Sequence, residues 1–83
     1  MPRILERIRQ RQLADVRERR AVIVAKLDEA VVAGTMTQVE ADVIAQDVQE
    51  HVALFEAGAL SWVVILTIFM QILQVILDYF NNA

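Results

Sequence analysis

The side chains best placed to do chemistry in this chain are few, and their spacing decides which chemistry is open to them. His51 is the single histidine, with Asp47 and Glu50 close by. One imidazole and two carboxylates do not make a metal-ligand pattern, because a metal site needs companion ligands converging from defined offsets. The chain has no cysteine, so it has neither thiolate ligands nor disulfides. No serine–histidine–acid set, glycine-rich phosphate loop or pocketed carboxylate pair can be assembled from the remaining residues. The expectation is a non-enzyme without catalytic, cofactor or metal residues, in which His51 is a surface side chain.

A more informative pattern lies towards the C-terminus, where Thr67, Gln71, Gln74 and Asp78 follow one another at steps of four, three and four. Such steps align side chains along one face of a helix, and the seam continues backwards through Val64, Leu60, Ala57 and Ala53. Polar groups in an otherwise apolar helix gain from partners on a neighbouring helix, and small residues such as Ala53, Ala57 and Ser61 allow backbones to approach. The predicted helix–helix interface is therefore Ala53, Ala57, Val64, Thr67, Gln71, Gln74 and Asp78. Phe69, Ile72, Leu73 and Ile76 are expected to face lipid. The simplest partner is a second copy in a parallel left-handed bundle. Two other readings fit the same residues: glutamines tolerated near a membrane interface, or a water-filled channel lined by Thr67, Gln71 and Gln74. No acidic or basic ring accompanies the seam, which argues against conduction.

The third cluster is basic. Residues 1–26 contain all eight basic side chains against three acids, whereas residues 27–58 contain seven acids and no base. Arg3, Arg7, Arg9 and Arg11 suggest phosphate contact, with lipid headgroups favoured and nucleic acid the lesser alternative. A solvated charged face is the simplest competing reading.

These residues need long helices to position them. Only two glycines and one proline interrupt 83 residues, of which 57% are hydrophobic, and that composition reads as all-α. Ile4, Leu5, Ile8, Leu13, Val16, Ile23, Leu27 and Val31 recur mostly at three- to five-residue steps, with one seven-residue step from Val16 to Ile23, giving a basic amphipathic helix over 1–33. Pro2 suits its start and Gly34 its stop. Thr37-Gln38-Val39-Glu40 then fits a capping box, so 34–37 is a capped turn and 38–56 an acidic amphipathic helix. The run from Ala30 to Ala41 also resembles the G-x-hydrophobic-T-x-x-E turn of short oligomerisation modules sometimes found beside membrane segments. Any well-capped pair of helices reaches the same dozen-residue pattern, and no family follows from it. His51 apart, Ile44, Val48, Val52 and Phe55 define the apolar side of the second helix. Gly58 offers a hinge, but nothing there forces a break, and a helix continuing straight into the membrane is an equally open reading.

Between Glu56 and Asp78 lie 21 residues without a charge. A helix of roughly 20 residues spans the ~30 Å hydrocarbon core. Trp62 and Tyr79 stand near its ends as interface anchors, where amphipathic rings settle at headgroup level. The expectation is a transmembrane helix over 57–80 with a short tail at 81–83. The first twenty residues are too charged for a secretory signal. The basic arm precedes the span and no base follows it, so the N-terminus is expected to be cytoplasmic.

Together these features predict an all-α protein: a cytoplasmic antiparallel helical hairpin whose second helix leads into a single C-terminal transmembrane helix. Folded back, the longer first helix would overshoot the second by about ten residues, bringing Ile4, Leu5 and Ile8 to headgroup level. Arg17, Arg19, Arg20 and Lys26 would lie beside Glu40 to Glu50. The expected role is a structural or accessory assembly subunit, bound to membrane lipid and associating with its own copies or a larger complex. The expected location is a bacterial cytoplasmic or virion membrane. The alternatives are a holin-like permeabilising protein, a virion membrane protein with a genome- or lipid-contacting arm, and a soluble helical oligomer with residues 59–77 as its buried core.

Overall fold

The computed structural model describes residues 2–81. Residues 82 and 83 of the expected tail lie outside them, while Asn81 ends the last helix. The order of elements is α1 (Pro2–Val32), α2 (Gln38–Glu56) and α3 (Trp62–Asn81). All three pack on one another in a rod 51 Å long and 16–17 Å across.

Both connections use the same local chemistry. After α1, Gly34 takes φ +76 and its N–H reaches the Val31 carbonyl at 3.1 Å, while the Thr35 N–H reaches Ala30 at 3.0 Å. After α2, Gly58 takes φ +80, with Gly58 N–H to Phe55 at 3.0 Å and Ala59 N–H to Leu54 at 2.8 Å. These are paired C-terminal caps, and the left-handed conformation at their centre favours glycine. Three residues beyond each glycine stands a hydroxyl that starts the next helix. The Thr37 Oγ1 accepts from the Glu40 N–H at 3.1 Å, and Glu40 Oε1 accepts from the Thr37 N–H at 3.0 Å, closing the capping box. The Ser61 Oγ accepts from the Val64 N–H at 3.2 Å. Met36 and Leu60, just before these caps, pack into the core, as do Ala41 and Ile65 four residues after them. Those are the positions of a hydrophobic staple. Of the two readings at Gly58, the continuous helix is therefore corrected and the hinge stands: Gly58 and Ser61 end one helix and begin another.

The core follows from three stripes at alternating steps of three and four. Val16, Ile23, Leu27 and Ala30 come from α1; Ala41, Val48, Val52 and Phe55 from α2; Ile65, Phe69, Ile72 and Ile76 from α3. Burial of each large side chain contributes about 1.5–3 kcal/mol, so these stripes dominate the packing. Seven-residue spacing in all three is the pattern of left-handed, coiled-coil-like bundles. Among the described residues no polar or charged side chain is buried in this core.

Candidate membrane span and helix-association site

α3 is long and apolar enough to cross a membrane. Its 20 residues form one uninterrupted helix of about 30 Å. Inside the chain, however, the face it turns towards α1 and α2 is not the expected one. Phe69, Ile72 and Ile76, expected to face lipid, are buried, and Leu73 packs partly against them. The buried stripe is displaced one to two residues from the Val64–Thr67–Gln71–Gln74–Asp78 seam. The physical reason is the solvent of the packing. Between helices of one chain in water, burying Phe and Ile is favourable, and burying two glutamine amides costs free energy unless every donor and acceptor is paired.

The seam residues consequently lie on the outer surface. Val64, Thr67, Gln71, Gln74 and Asp78 are exposed, as are Ala53 and Ala57 on the preceding segment. Their side-chain hydrogen bonds are local: the Thr67 hydroxyl donates to the Val63 carbonyl at 2.8 Å, and the Gln74 amide donates to Asp78 Oδ1 at 3.2 Å. The break at 57–61 also separates Ala53 and Ala57 from the rest of the seam, which no longer shares one helix. Alongside the seam, α3 exposes Val63, Met70, Val75 and Leu77.

The two expected anchors have partners within the chain. Trp62 stands beside Phe55 with ring centroids 6.0 Å apart and planes tilted by 49°. The Tyr79 hydroxyl donates to Glu40 Oε2 at 2.6 Å, closing the opposite end of the bundle. This bond, the Thr37 backbone N–H and the Thr37 hydroxyl hold the Glu40 carboxyl below the usual carboxylate range. Glu40 is thus both the last residue of a capping box and the acceptor for α3. The capping role was readable from four consecutive residues; the tyrosine contact, across 39 positions, was not.

The arginines divide into two groups. Arg9 Nη2 donates to the carbonyls of Phe55 at 2.6 Å and Glu56 at 3.3 Å, and its guanidinium carbon lies 4.4 Å over the Phe55 ring. It serves the open carbonyls at the C-terminus of α2, where a cation is favoured, rather than projecting outward with the others. Arg3, Arg7 and Arg11 are exposed, and so are Ile4, Leu5 and Ile8 between them. Because Arg9 already meets the end of α2, this tip extends past it.

Arg17 pairs with Glu56 at 3.1 Å and Arg20 donates to Gln49 Oε1 at 2.6 Å. Arg19 and Lys26, expected beside α2, instead pair within α1, with Asp15 at 2.7 Å and Glu29 at 3.4 Å. Pairs this exposed contribute about 0–1 kcal/mol each. The His51 Nδ1 lies 2.7 Å from the Asp47 carbonyl, one turn back on its own helix.

No protein-family model, no curated protein and no solved structure matches this chain. The functional reading therefore rests on the residues and their geometry.

Proposed function

We propose that the protein is a non-catalytic, single-span membrane protein that acts as a structural or accessory assembly subunit through helix–helix contacts of α3. The observation that carries this reading is a 20-residue helix whose first 16 residues, Trp62 to Leu77, lie in the uncharged stretch, with Asp78 as its one charged side chain near the C-terminal end. Its Thr67–Gln71–Gln74–Asp78 face is exposed, and among the described residues its side-chain hydrogen bonds stay within α3. In a bilayer the amides of Gln71 and Gln74 gain from pairing with a second copy, each such bond being worth ~0.6–2 kcal/mol. The exposed tip of α1, with Arg3, Arg7 and Arg11 around Ile4, Leu5 and Ile8, suits anionic headgroups on the cytoplasmic side.

The test is cross-linking in mild detergent of the wild type and of Gln71→Leu/Gln74→Leu. The double variant should lose most of the cross-linked oligomer while remaining membrane-bound. Undiminished association would remove the glutamine face from the assembly role.

A second reading has its own observation. Ile65, Phe69, Ile72 and Ile76 form a closed core with α1 and α2 while the polar face of α3 is turned outward, which suits a helical bundle in water. Retention in the soluble fraction, with no membrane-bound pool resistant to alkaline carbonate, would favour that reading.

A further inference from the structure

We propose that the bundle and the membrane span are two alternative packings of one chain: α3 is stored against α1 and α2 in water and swings out about the Gly58 turn to enter a bilayer. The proposal rests on the membrane-spanning reading above and adds the state that precedes it.

The two packings exclude each other electrostatically. Phe69, Met70 and Leu73 share a surface cleft with Asp15, Glu18 and Arg19 of α1. With Trp62 and Tyr79 at the two headgroup levels, Phe69 to Leu73 would lie at the bilayer midplane. An α1 still docked there would carry three charged side chains into the hydrocarbon centre, the costliest position for them. α3 must therefore leave α1 before it can span.

Leaving breaks few polar contacts. The face of α3 that unpacks is Ile65, Phe69, Ile72 and Ile76, and lipid chains replace those contacts without stranding a polar group. Among the described residues, one side-chain hydrogen bond joins α3 to the other helices, from Tyr79 to Glu40. It sits at the far end from the turn, where a latch has most leverage. At the near end, Gly58 has φ +80 and no atom within 4 Å of where a Cβ would stand, so the turn is not wedged. Asp78 is the one charged side chain in residues 57–83 that a swinging C-terminal end would carry across.

The experiment ties the middle of α3 to α1 while leaving the latch intact. Val22 and Met70 are both exposed and line the same cleft, and the chain has no cysteine of its own. Val22→Cys/Met70→Cys is joined by a reductant-cleavable bismaleimide and mixed with vesicles of phosphatidylcholine and phosphatidylglycerol. Carbonate-resistant flotation is then measured, with quenching of the single Trp62 by brominated lipid as a second readout. The linked protein, its helicity checked by circular dichroism, should show about tenfold less resistant protein than the same sample after cleavage, because the linked chain cannot populate the inserted state. Equal resistance before and after cleavage would overturn the switch while leaving the membrane reading standing. No resistant fraction in either sample or in wild type would remove the membrane reading, and the switch with it. Phe69→Ala supplies a check free of the linker. It weakens the docked state, so at lipid levels where wild type stays mostly in water the inserted fraction should rise several-fold. A fall or no change would overturn the exchange between the two states.

Discussion

Phe69 separates the bundle from the span most sharply. Its side chain is only 2% exposed, at the centre of the α3 stripe, and packs in the core shared by all three helices. Phe69→Ala removes the ring and leaves a cavity, a change that costs about 3–5 kcal/mol in well-packed cores. The whole stability expected for a domain of this size is only ~4–12 kcal/mol. A urea titration followed by circular dichroism in dilute buffer should therefore move its midpoint down by roughly 2–5 M, taking a slope near 1–1.5 kcal/mol/M. The same substitution barely alters α3 as a membrane segment, since phenylalanine and alanine differ by under about 1 kcal/mol in insertion preference. Gln71→Leu is the control: Gln71 is exposed in the bundle, so its stability should stay within about 0.5 kcal/mol of wild type. If Phe69→Ala left the midpoint unchanged while Gln71→Leu lowered it, the assignment of faces on α3 would be refuted.

Three further outcomes follow from the caps and the charged contacts. Gly58→Ala forces a Cβ into the left-handed region and should destabilise the bundle by about 1–2 kcal/mol, and Ser61→Ala, by removing the first bond of α3, by about 1 kcal/mol; thermal unfolding measures both, and a stabilised Gly58→Ala would mean that α2 and α3 prefer to join. Arg9→Ala should cost about 1 kcal/mol through the lost carbonyl contacts at the end of α2, while Arg7→Ala, at an exposed position, should stay within about 0.5 kcal/mol, so equal effects in denaturant titration would contradict the division of the arginines. Because Glu40 is held below the usual carboxylate range by Tyr79 and Thr37, its contribution is complete above the unfolded value of about 4.3 and is lost as pH falls through its lower folded value; Glu40→Gln should flatten that part of the stability–pH curve, and an unchanged curve would show that neither the Tyr79 nor the Thr37 bonds hold the carboxylate.

Much of the architecture was written in short stretches of sequence. Thr37 and Glu40 announced their capping box within four residues, and Gly34 announced its stop, because caps are built from neighbours in the chain. The same grammar recurs in Ala57-Gly58-Ala59-Leu60-Ser61, which matches Ala33-Gly34-Thr35-Met36-Thr37 position by position in its alanine, glycine, apolar residue and hydroxyl. That repeat was the available signal for the break between α2 and α3. The uncharged run from Ala57 masked it, since length and hydropathy alone favour continuing a helix. The three-and-four spacing likewise marked Val16, Ile23, Leu27, Val48, Val52 and Phe55 as inward-facing, because periodicity survives without knowledge of the partner.

What the sequence determined, then, is local: three helices, their caps, the separation of charge and one helix able to cross a membrane. Which face of α3 meets a neighbour was decided by tertiary structure. Two stripes one or two residues apart are both regular enough to form a seam, and spacing cannot rank them. Docked on α1 and α2, α3 buries Phe69, Ile72 and Ile76 and leaves Gln71 and Gln74 exposed. The contacts of Arg9 with Phe55 and of Tyr79 with Glu40 belong to the same class. They join residues some forty positions apart, and only the folding back of the helices brings their charges and dipoles within reach.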